Sequence, residues 1–535
     1  MNATNAMLYL NAVALSIPEP VLPPKALNSQ ISGILRATRP FLDTDRDSIL
    51  QNIEVLEQQL PVYDALLNRI DEVRSKMQRH RDLVQRFTAK YSSTLAPIRR
   101  LPSDILRAVF HEVQISLWWN PQELSGPSEE PVPLVFSQGP WELSHVCSAW
   151  RDVILSYPQL WSHIVLQFWT DRPAETLHHT LSALQAMILR SAQHPLDIVF
   201  ELGEDDENED AAIEVFPVLL EESYRWRSME LNLSLPLLEQ LKLVRGKIPC
   251  LESLTMETPC DLPSVEELPE DVRSVFIDAP RLQKVTLHHT SGPSDFIFPL
   301  HITHLATFMG NVSNVEAYQS LVECHLALPA IPDPDFSPPR LIHLPNVRRL
   351  FVSSPDLFPW LRLPSLEDLT ISDCPSFRSD TNAVVLTMNE FVYRSRCSLT
   401  RLAIHNPVSH NQVFINDCLL LMDSLVSLEI ELFWNAEIKV IFDALASTGF
   451  LAKLQHLSLC IPWTQPSLLD PLTAMISSRS RYLRSIRIRC NSADDVERVN
   501  EHLAPLRPTE FLMVVLIDRD YKYDVKGCFG KFESA

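Results

Sequence analysis

Glycine and positively charged residues are both scarce in this sequence, and each shortage argues against one class of binding function. Only 10 of the 535 residues are glycine, and neither a G-x-G-x-x-G nor a G-x-x-x-x-G-K-[ST] pattern occurs. Glycine-rich loops that cradle the phosphates of nucleotides are therefore not indicated. The 46 lysines and arginines are outnumbered by 67 acidic residues, which gives a formal net charge of −21. Proteins that bind nucleic acids or anionic membranes usually carry an excess of positively charged residues. Because this chain has an excess of acidic residues, we expect neither as a partner.

Patterns typical of metal sites and of thiol chemistry are also missing. The ten cysteines form no C-x-x-C pair, and no H-E-x-x-H or G-x-S-x-G pattern occurs, so no zinc site or nucleophile is marked. Single cysteines in apolar surroundings are typical of reduced core residues inside cells. No run of about 18 apolar residues predicts a membrane span. We therefore predict a non-catalytic protein without metal or cofactor, located in the cytoplasm, the nucleus or both.

Proline is abundant, with 41 residues, and it marks two features of the N-terminal region. Residues 1–42 hold five prolines and little periodicity, which predicts a mostly flexible segment. In residues 43–94 apolar side chains recur in alternating steps of four and three, the 3.5-residue repeat of a coiled coil. This seam consists of Ile49, Ile53, Leu56, Leu60, Tyr63, Leu67, Ile70, Met77, Val84 and Phe87. Since proline breaks a helix interior, Pro61 predicts a kink or two helices that meet there.

Two hypotheses fit this heptad segment. It can form a coiled coil that joins two copies of the chain into a homodimer. Alternatively, it is a hairpin or a single helix that packs on the next domain.

Two short apolar stripes follow between residues 97 and 165. Pro102 suits the first turn of a helix, and the apolar residues after it recur at i, i+1, i+4, i+5 and i+8 (Ile105, Leu106, Val109, Phe110 and Val113). The second stripe comprises Leu143, Val146, Cys147, Trp150, Val153 and Ile154, followed by Leu160 and Trp161. Five prolines between residues 114 and 140 predict a surface loop between the stripes. Helices this short need another surface on which to dock.

The two stripes resemble an F-box. The sequence LPSDILRAVF is similar to the family pattern L-P-x-E-[IL]-L-x-x-[IV]-F, and WELSHVCSAWRDVILSYPQLW is similar to its V-C-[KRS]-x-W-[RK] helix with a following P-x-L-W. The matching positions are Leu101, Pro102, Ile105, Leu106, Val109, Phe110, Val146, Cys147, Trp150, Arg151, Leu160 and Trp161. The proline-rich loop departs from the family by being longer than the usual spacing. An F-box domain with a loop insertion is thus expected at residues 97–165.

The resemblance implies a partner. F-box helices dock on a Skp-family adaptor, which hangs on the cullin scaffold of a ubiquitin ligase. It implies that Leu101, Pro102, Ile105 and Leu106 are exposed anchors for the adaptor. Phe110 and Trp150 also belong to the expected adaptor-binding residues, although their main expected role is to hold the helices together. The remaining expected adaptor-binding residues are Val109, Val146, Cys147, Leu160 and Trp161. The alternative is a helical hairpin that packs only within its own chain and binds no adaptor.

Residues 166–535 contain recurring L-x-x-L-x-L units. The middle residues of nine units are Leu254, Val285, Cys324, Leu350, Leu369, Leu402, Leu428, Leu457 and Ile486, which lie 29 residues apart on average. This spacing resembles degenerate leucine-rich repeats and implies a right-handed α/β solenoid with one strand per unit. The alternative is an ordinary α/β domain with coincidental leucines.

The predicted protein is therefore α/β: an N-terminal long helix, a small all-α F-box and a leucine-rich-repeat-like solenoid. This order predicts the substrate-recognition subunit of a Skp–cullin–F-box ubiquitin ligase, whose solenoid binds an unknown protein substrate. One alternative function is a scaffold that uses the same coiled coil and repeats outside any ligase. Another is an enzyme whose pocket leaves no mark in the sequence.

Overall fold

The computed structural model divides the chain into two compact units, Met1–Pro102 and Ser103–Ala535. Its description covers residues 3–36, 38, 40–118, 140–168, 174–203, 209–257, 269–288, 296–308, 315–328, 341–372, 381–405, 419–431, 435–461, 466–490, 492–506 and 512–517. The proline-rich stretch 119–139, predicted to be a surface loop, lies outside the described residues.

The first unit is helical. Its helices are α1 (Ala3–Leu15), α2 (Lys25–Leu35), α3 (Asp43–Glu57) and α4 (Leu60–Thr94), and a short 3-10 helix spans Pro97–Arg100. Helices α1 and α2 thus occupy the segment 1–42, for which the sequence predicts mostly flexible chain. The five prolines of that segment all lie outside the two helices. They separate the helices rather than interrupt them, which is why the number of prolines does not indicate flexible chain here.

Helices α3 and α4 meet two residues before Pro61, as predicted. Pro61 lies in the first turn of α4, where its missing N–H costs no helical hydrogen bond. The junction is fastened to the segment between α1 and α2. Gln59 accepts a hydrogen bond from the Val21 amide (2.7 Å) and donates to the Val21 carbonyl (3.1 Å), and the Tyr63 hydroxyl donates to the Pro18 carbonyl (2.8 Å).

The second unit is built on a parallel sheet of 14 strands that neighbour one another in chain order. Its strands are β1 (His163–Phe168), β2 (Leu196–Leu202), β3 (Trp226–Asn232), β4 (Ser253–Glu257), β5 (Lys284–His288), β6 (His304–Phe308), β7 (Glu323–Ala327), β9 (Arg349–Val352), β11 (Asp368–Ser372), β12 (Arg401–His405), β13 (Ser427–Glu431), β14 (His456–Cys460), β15 (Ser485–Cys490) and β16 (Leu512–Ile517). Two short strands, β8 (Ile342–His343) and β10 (Leu361–Arg362), pair separately. The prediction of an α/β protein is confirmed.

The nine predicted leucine units coincide with β4, β5, β7, β9 and β11 to β15. Their registers align the unit positions: Leu428 lies opposite Leu457, which lies opposite Ile486. The residue three positions before each middle residue is buried in every unit, so each unit adds an apolar side chain to the buried core of this unit of the chain. The long interval between Val285 and Cys324 conceals β6. There Ile302 and Leu305 are buried, but Thr307 takes the place of the last apolar residue of the unit. The sequence also misses β1 and β16.

Helices connect many of the strands. They are α8 (Ala174–Ser191), α9 (Glu209–Glu221), α10 (Leu235–Gln240), α11 (Glu270–Arg273), α12 (Thr381–Ser395), α13 (Asn435–Ala446), α14 (Pro466–Arg479) and α15 (Ala493–Leu503). Before β1 lie α5 (Ser103–Trp118), α6 (Pro140–Val146) and α7 (Ser148–Leu155), followed by a 3-10 turn at Pro158–Trp161.

Arginines near the ends of these connections bond the carbonyls that end the preceding connection. The acceptors are the carbonyls of Ile188 and His194 for Arg225, of Phe358 and Leu361 for Arg394, and of Leu445, Ser447, Phe450 and Leu451 for Arg479. Helix ends leave backbone carbonyls unpaired, and a guanidinium has five donors in a planar fork. Arginine thus ties successive connections together in a chain that has few glycines to form helix C-caps.

Candidate partner-binding surface

Helix α5 carries two apolar stripes one residue apart, and only one of them faces the interior. Leu106, Phe110 and Gln114 are buried, with exposed fractions of 6%, 1% and 2%. Ile105 and Val113 are exposed, at 45% and 38%, and Val109 between them is half-buried. Residues at i, i+4 and i+8 lie on one helix face, and a shift of one residue turns that face by about 100°. The helix therefore presents an apolar ridge in addition to the face that packs in the core.

The inner stripe packs against α7 and the turn that follows it. The Phe110 and Trp150 rings lie 4.7 Å apart between centroids, in accordance with the prediction that they hold the helices together. Gln114 donates a hydrogen bond to the Leu160 carbonyl (2.9 Å). Cys147, half-buried and in an extended backbone conformation, separates α6 from α7. Exposed apolar side chains remain here too, namely Val146 at 52% and Leu155 at 44%.

Four of the expected adaptor-binding residues are buried. Leu106 is expected to be an exposed anchor but is buried, because the α5 face it occupies points into the second unit. Phe110, Leu160 and Trp161 have exposed fractions of 0–1% and cannot touch a partner directly. In the first unit, Leu101 is half-buried and Pro102 is exposed. The predicted residues available for contact are thus Pro102, Ile105 and Val146, together with the half-buried Leu101, Val109, Cys147 and Trp150.

Two tryptophans and an arginine join the short helices to α8. Trp161 is fully buried and its indole N–H donates to the Ile154 carbonyl (3.0 Å). Its ring meets that of Trp141 edge to face at 5.0 Å, and the Arg190 guanidinium lies 4.5 Å from both ring centroids. Arg190 is on α8, which follows β1, so this cation–π stack joins the short helices to α8. The sequence did not reveal Arg190 or Gln114, since neither belongs to a recognisable pattern.

The second candidate surface is the sheet face opposite the leucine core. In its middle this face is apolar and closed: Ala306, Ala327 and Phe351 are nearly fully buried, with Phe308 packed against them. Beside them, the Glu323 carboxylate lies 2.6 Å from Arg349 and 3.0 Å from His325.

Farther along the sheet, charged side chains on β11, β12, β13 and β15 pair across strands. Arg401 bonds Asp368 (2.8 Å) and lies 3.8 Å from Glu429, which also bonds Arg489 (2.5 Å). These four charged side chains are therefore paired with one another within the sheet.

At the other end, carboxylates gather on β2 to β4. Burial raises the pKa of Glu201, although a hydrogen bond from Gln167 opposes the shift. Burial also raises the pKa of Glu230, and the neighbouring Glu201 and Glu257 carboxylates raise it further. This end of the face is acidic, whereas the other end is a network of mixed sign.

Glu323 supports a prediction about pH. Burial alone would raise its pKa, but hydrogen bonds from His325 and Arg349 outweigh burial and hold the pKa below the usual value. A carboxylate with a depressed folded-state pKa contributes stability above its unfolded pKa and loses it as the pH falls through the folded pKa. Glu323→Gln is thus expected to lower the free energy of unfolding by about 1–3 kcal/mol at neutral pH, and by less in acid.

Denaturant unfolding at about pH 7 and about pH 3.5 measures this difference. Glu367→Gln is the matched control, because Glu367 is an exposed carboxylate just before β11, and it should change the free energy of unfolding little at either pH. An equal penalty for Glu323→Gln at both pH values would show that its charge is not the stabilising property.

Burial makes three of the cysteine thiols unreactive. Burial raises the pKa of Cys324 to about 12 and that of Cys490 to about 12, and it raises the pKa of Cys397 to about 11. A thiol with such a pKa stays protonated at neutral pH and is a poor nucleophile. Within the described ranges, no three His, Cys, Asp or Glu side chains are arranged to hold a metal ion. No helix there is long and apolar enough to cross a bilayer.

Comparisons with known proteins do not place the chain in a family. No protein-family model matches the sequence, and a search of curated proteins finds no significant relative.

Proposed function

We propose that this chain is the substrate-recognition subunit of a Skp–cullin–F-box ubiquitin ligase. The observation that carries the proposal is an outward apolar stripe on α5, within a motif that resembles an F-box. The stripe is formed by the exposed Ile105 and Val113 and the half-buried Val109. An apolar ridge left uncovered beside a filled core is typical of a helix that docks in a partner's groove. The fully buried Trp161 supports this role indirectly, because its contacts with Trp141 and Arg190 join the short helices to α8.

The sheet is the proposed substrate-binding part. Strands that follow one another in one long parallel sheet, with leucines on one face, are what leucine-rich-repeat-like solenoids display, and such sheets offer a long surface to protein ligands. Ubiquitin transfer itself would be carried out by partner proteins. This chain would contribute proximity, by holding the substrate near the charged carrier enzyme.

Ile105→Glu tests the adaptor contact. The substitution places a charge on the exposed ridge while the core stripe stays intact, so adaptor binding should weaken at least about a hundredfold, as expected for loss of an interface anchor. Binding is measured by titrating the purified full-length chain with a Skp-family adaptor. Leu189→Glu is the matched control, because Leu189 is an exposed leucine on α8, at 80%.

The expected result is loss of adaptor binding by Ile105→Glu alone, with unchanged thermal unfolding of both variants. Wild-type affinity in Ile105→Glu would refute the ligase proposal. A wild-type chain that binds client proteins but no adaptor would favour a scaffold outside any ligase.

A further inference from the structure

Helix α4 carries an apolar seam that is more regular than the one suggested by the sequence. The seam follows steps of four and three through Leu66, Ile70, Val73, Met77, His80, Val84, Phe87 and Tyr91. Only His80 among them is polar. The seven others are 36–69% exposed, and no residue of α4 is buried. The 35-residue helix is about 52 Å long, so it presents nearly four heptads of uncovered apolar surface.

The positions that flank this seam carry only positive or neutral side chains. In heptad terms, with Ile70 and Met77 at a, the e and g positions from 67 to 90 include five cations and no acid. The cations are Arg69, Arg74, Lys76, Arg81 and Lys90. The acids of this stretch, Asp71, Glu72 and Asp82, lie at b, c and f, away from the seam. Side chains at e and g determine which helices pair in a coiled coil.

These charges disfavour the homodimer that the heptad pattern suggests. In a parallel pair, Arg69 of one copy would face Arg74 of the other, and Lys76 would face Arg81. In an antiparallel pair, Arg74 would face Arg81, and Arg69 would face Lys90. Both arrangements place like charges opposite each other, which destabilises the pair.

We propose that the α4 seam binds an amphipathic helix of another protein whose flanking positions are acidic. Glutamates or aspartates at the partner's e and g positions would pair with the five cations, while its apolar residues cover the seam. In the free chain Arg69 pairs with Glu72 and Arg81 with Asp82, but these side chains are all more than half exposed. Exposed pairs of this kind are weak and exchange readily for partners across an interface.

A helix suits this surface better than a lipid bilayer does. The stripe is narrow and keeps the 3.5-residue period of a coiled coil, whereas membrane-surface helices have a broad apolar face. Asp71, Glu72 and Asp82 would also be repelled by anionic lipids. The proposal does not depend on the ligase function, because α4 lies in the first unit and the F-box-like helices α5 to α7 lie in the second.

The probes for the test are two synthetic peptides of about four heptads. Both have isoleucine at a and leucine at d, and they differ only in carrying glutamate or lysine at every e and g. The full-length chain is expected to bind the glutamate peptide at least about tenfold more tightly than the lysine peptide. Raising the salt from about 0.1 M to about 0.5 M should weaken that binding.

Charge reversal at the flanks provides the decisive comparison. The variant with Arg74→Glu, Lys76→Glu and Arg81→Glu is expected to prefer the lysine peptide. Arg79→Glu with Arg86→Glu, two cations off the flanking positions, is the control and should keep the wild-type preference. Equal binding of both peptides, or binding of neither, would overturn the proposal. So would a micromolar homodimer that Val73→Glu dissociates, or binding of the wild type to vesicles of anionic phospholipid with no peptide preference.

Discussion

Trp161→Ala is expected to lower the free energy of unfolding of the second unit by about 3–5 kcal/mol, the usual cost of removing a buried tryptophan. Trp161 is fully buried and donates a hydrogen bond to the Ile154 carbonyl. Its removal also leaves Trp141 without its edge-to-face neighbour and takes one ring from beneath Arg190. The substitution therefore opens a cavity and weakens the contact between the short helices and α8.

Denaturant unfolding monitored by circular dichroism measures the effect of Trp161→Ala. Trp161→Phe should cost less, because it keeps an aromatic ring and loses mainly the hydrogen bond. Tyr393→Ala is the control for loss of an exposed aromatic side chain, at 86% exposure. If Trp161→Ala unfolds like Tyr393→Ala, the helices are not held by this contact. Adaptor binding should also fall in Trp161→Ala, although Trp161 cannot touch the adaptor.

Arg479→Met is the second substitution with a large expected effect, about 3–5 kcal/mol from the free energy of unfolding. Arg479 ends α14 and is 1% exposed. It donates to four carbonyls in and after α13, among them Leu451 (3.1 Å) and Ser447 (2.7 Å). Methionine fills a similar volume but leaves these buried acceptors unpaired. Burial lowers the pKa of Arg479, but an arginine remains charged in proteins.

Arg481→Met is the matched control, since Arg481 is exposed two residues later. Arg479→Lys should fall between the two, because lysine keeps the charge without the planar fork. Thermal unfolding measures the loss of stability, and hydrogen exchange of the α13 and α14 amides shows where in the structure the loss occurs. Equal stability of Arg479→Met and Arg481→Met would show that the carbonyls find other partners.

The candidate surface was only partly predictable from the sequence. The spacing of Ile105, Leu106, Val109 and Phe110 predicts one broad apolar stripe, and that stripe exists. Which half of it would be covered depends on where α7 and the 158–161 turn lie, and the spacing contains no information about that. The expectation that Leu106 is exposed was therefore wrong. The pairing of Arg479 with carbonyls some 30 residues earlier could not be predicted, because a backbone carbonyl has no sequence signature.

The amino-acid sequence by itself determined the periodic features: the leucine units that became strands, the two helices that meet near Pro61 and the parallel α/β class. These follow from local spacing, since apolar residues at fixed intervals place one face of each element in the core. Only the tertiary structure decided which apolar side chains stay exposed, which charges pair across strands and where arginines join successive connections. Each of these depends on residues far apart in the chain, whose approach is set by packing rather than by spacing.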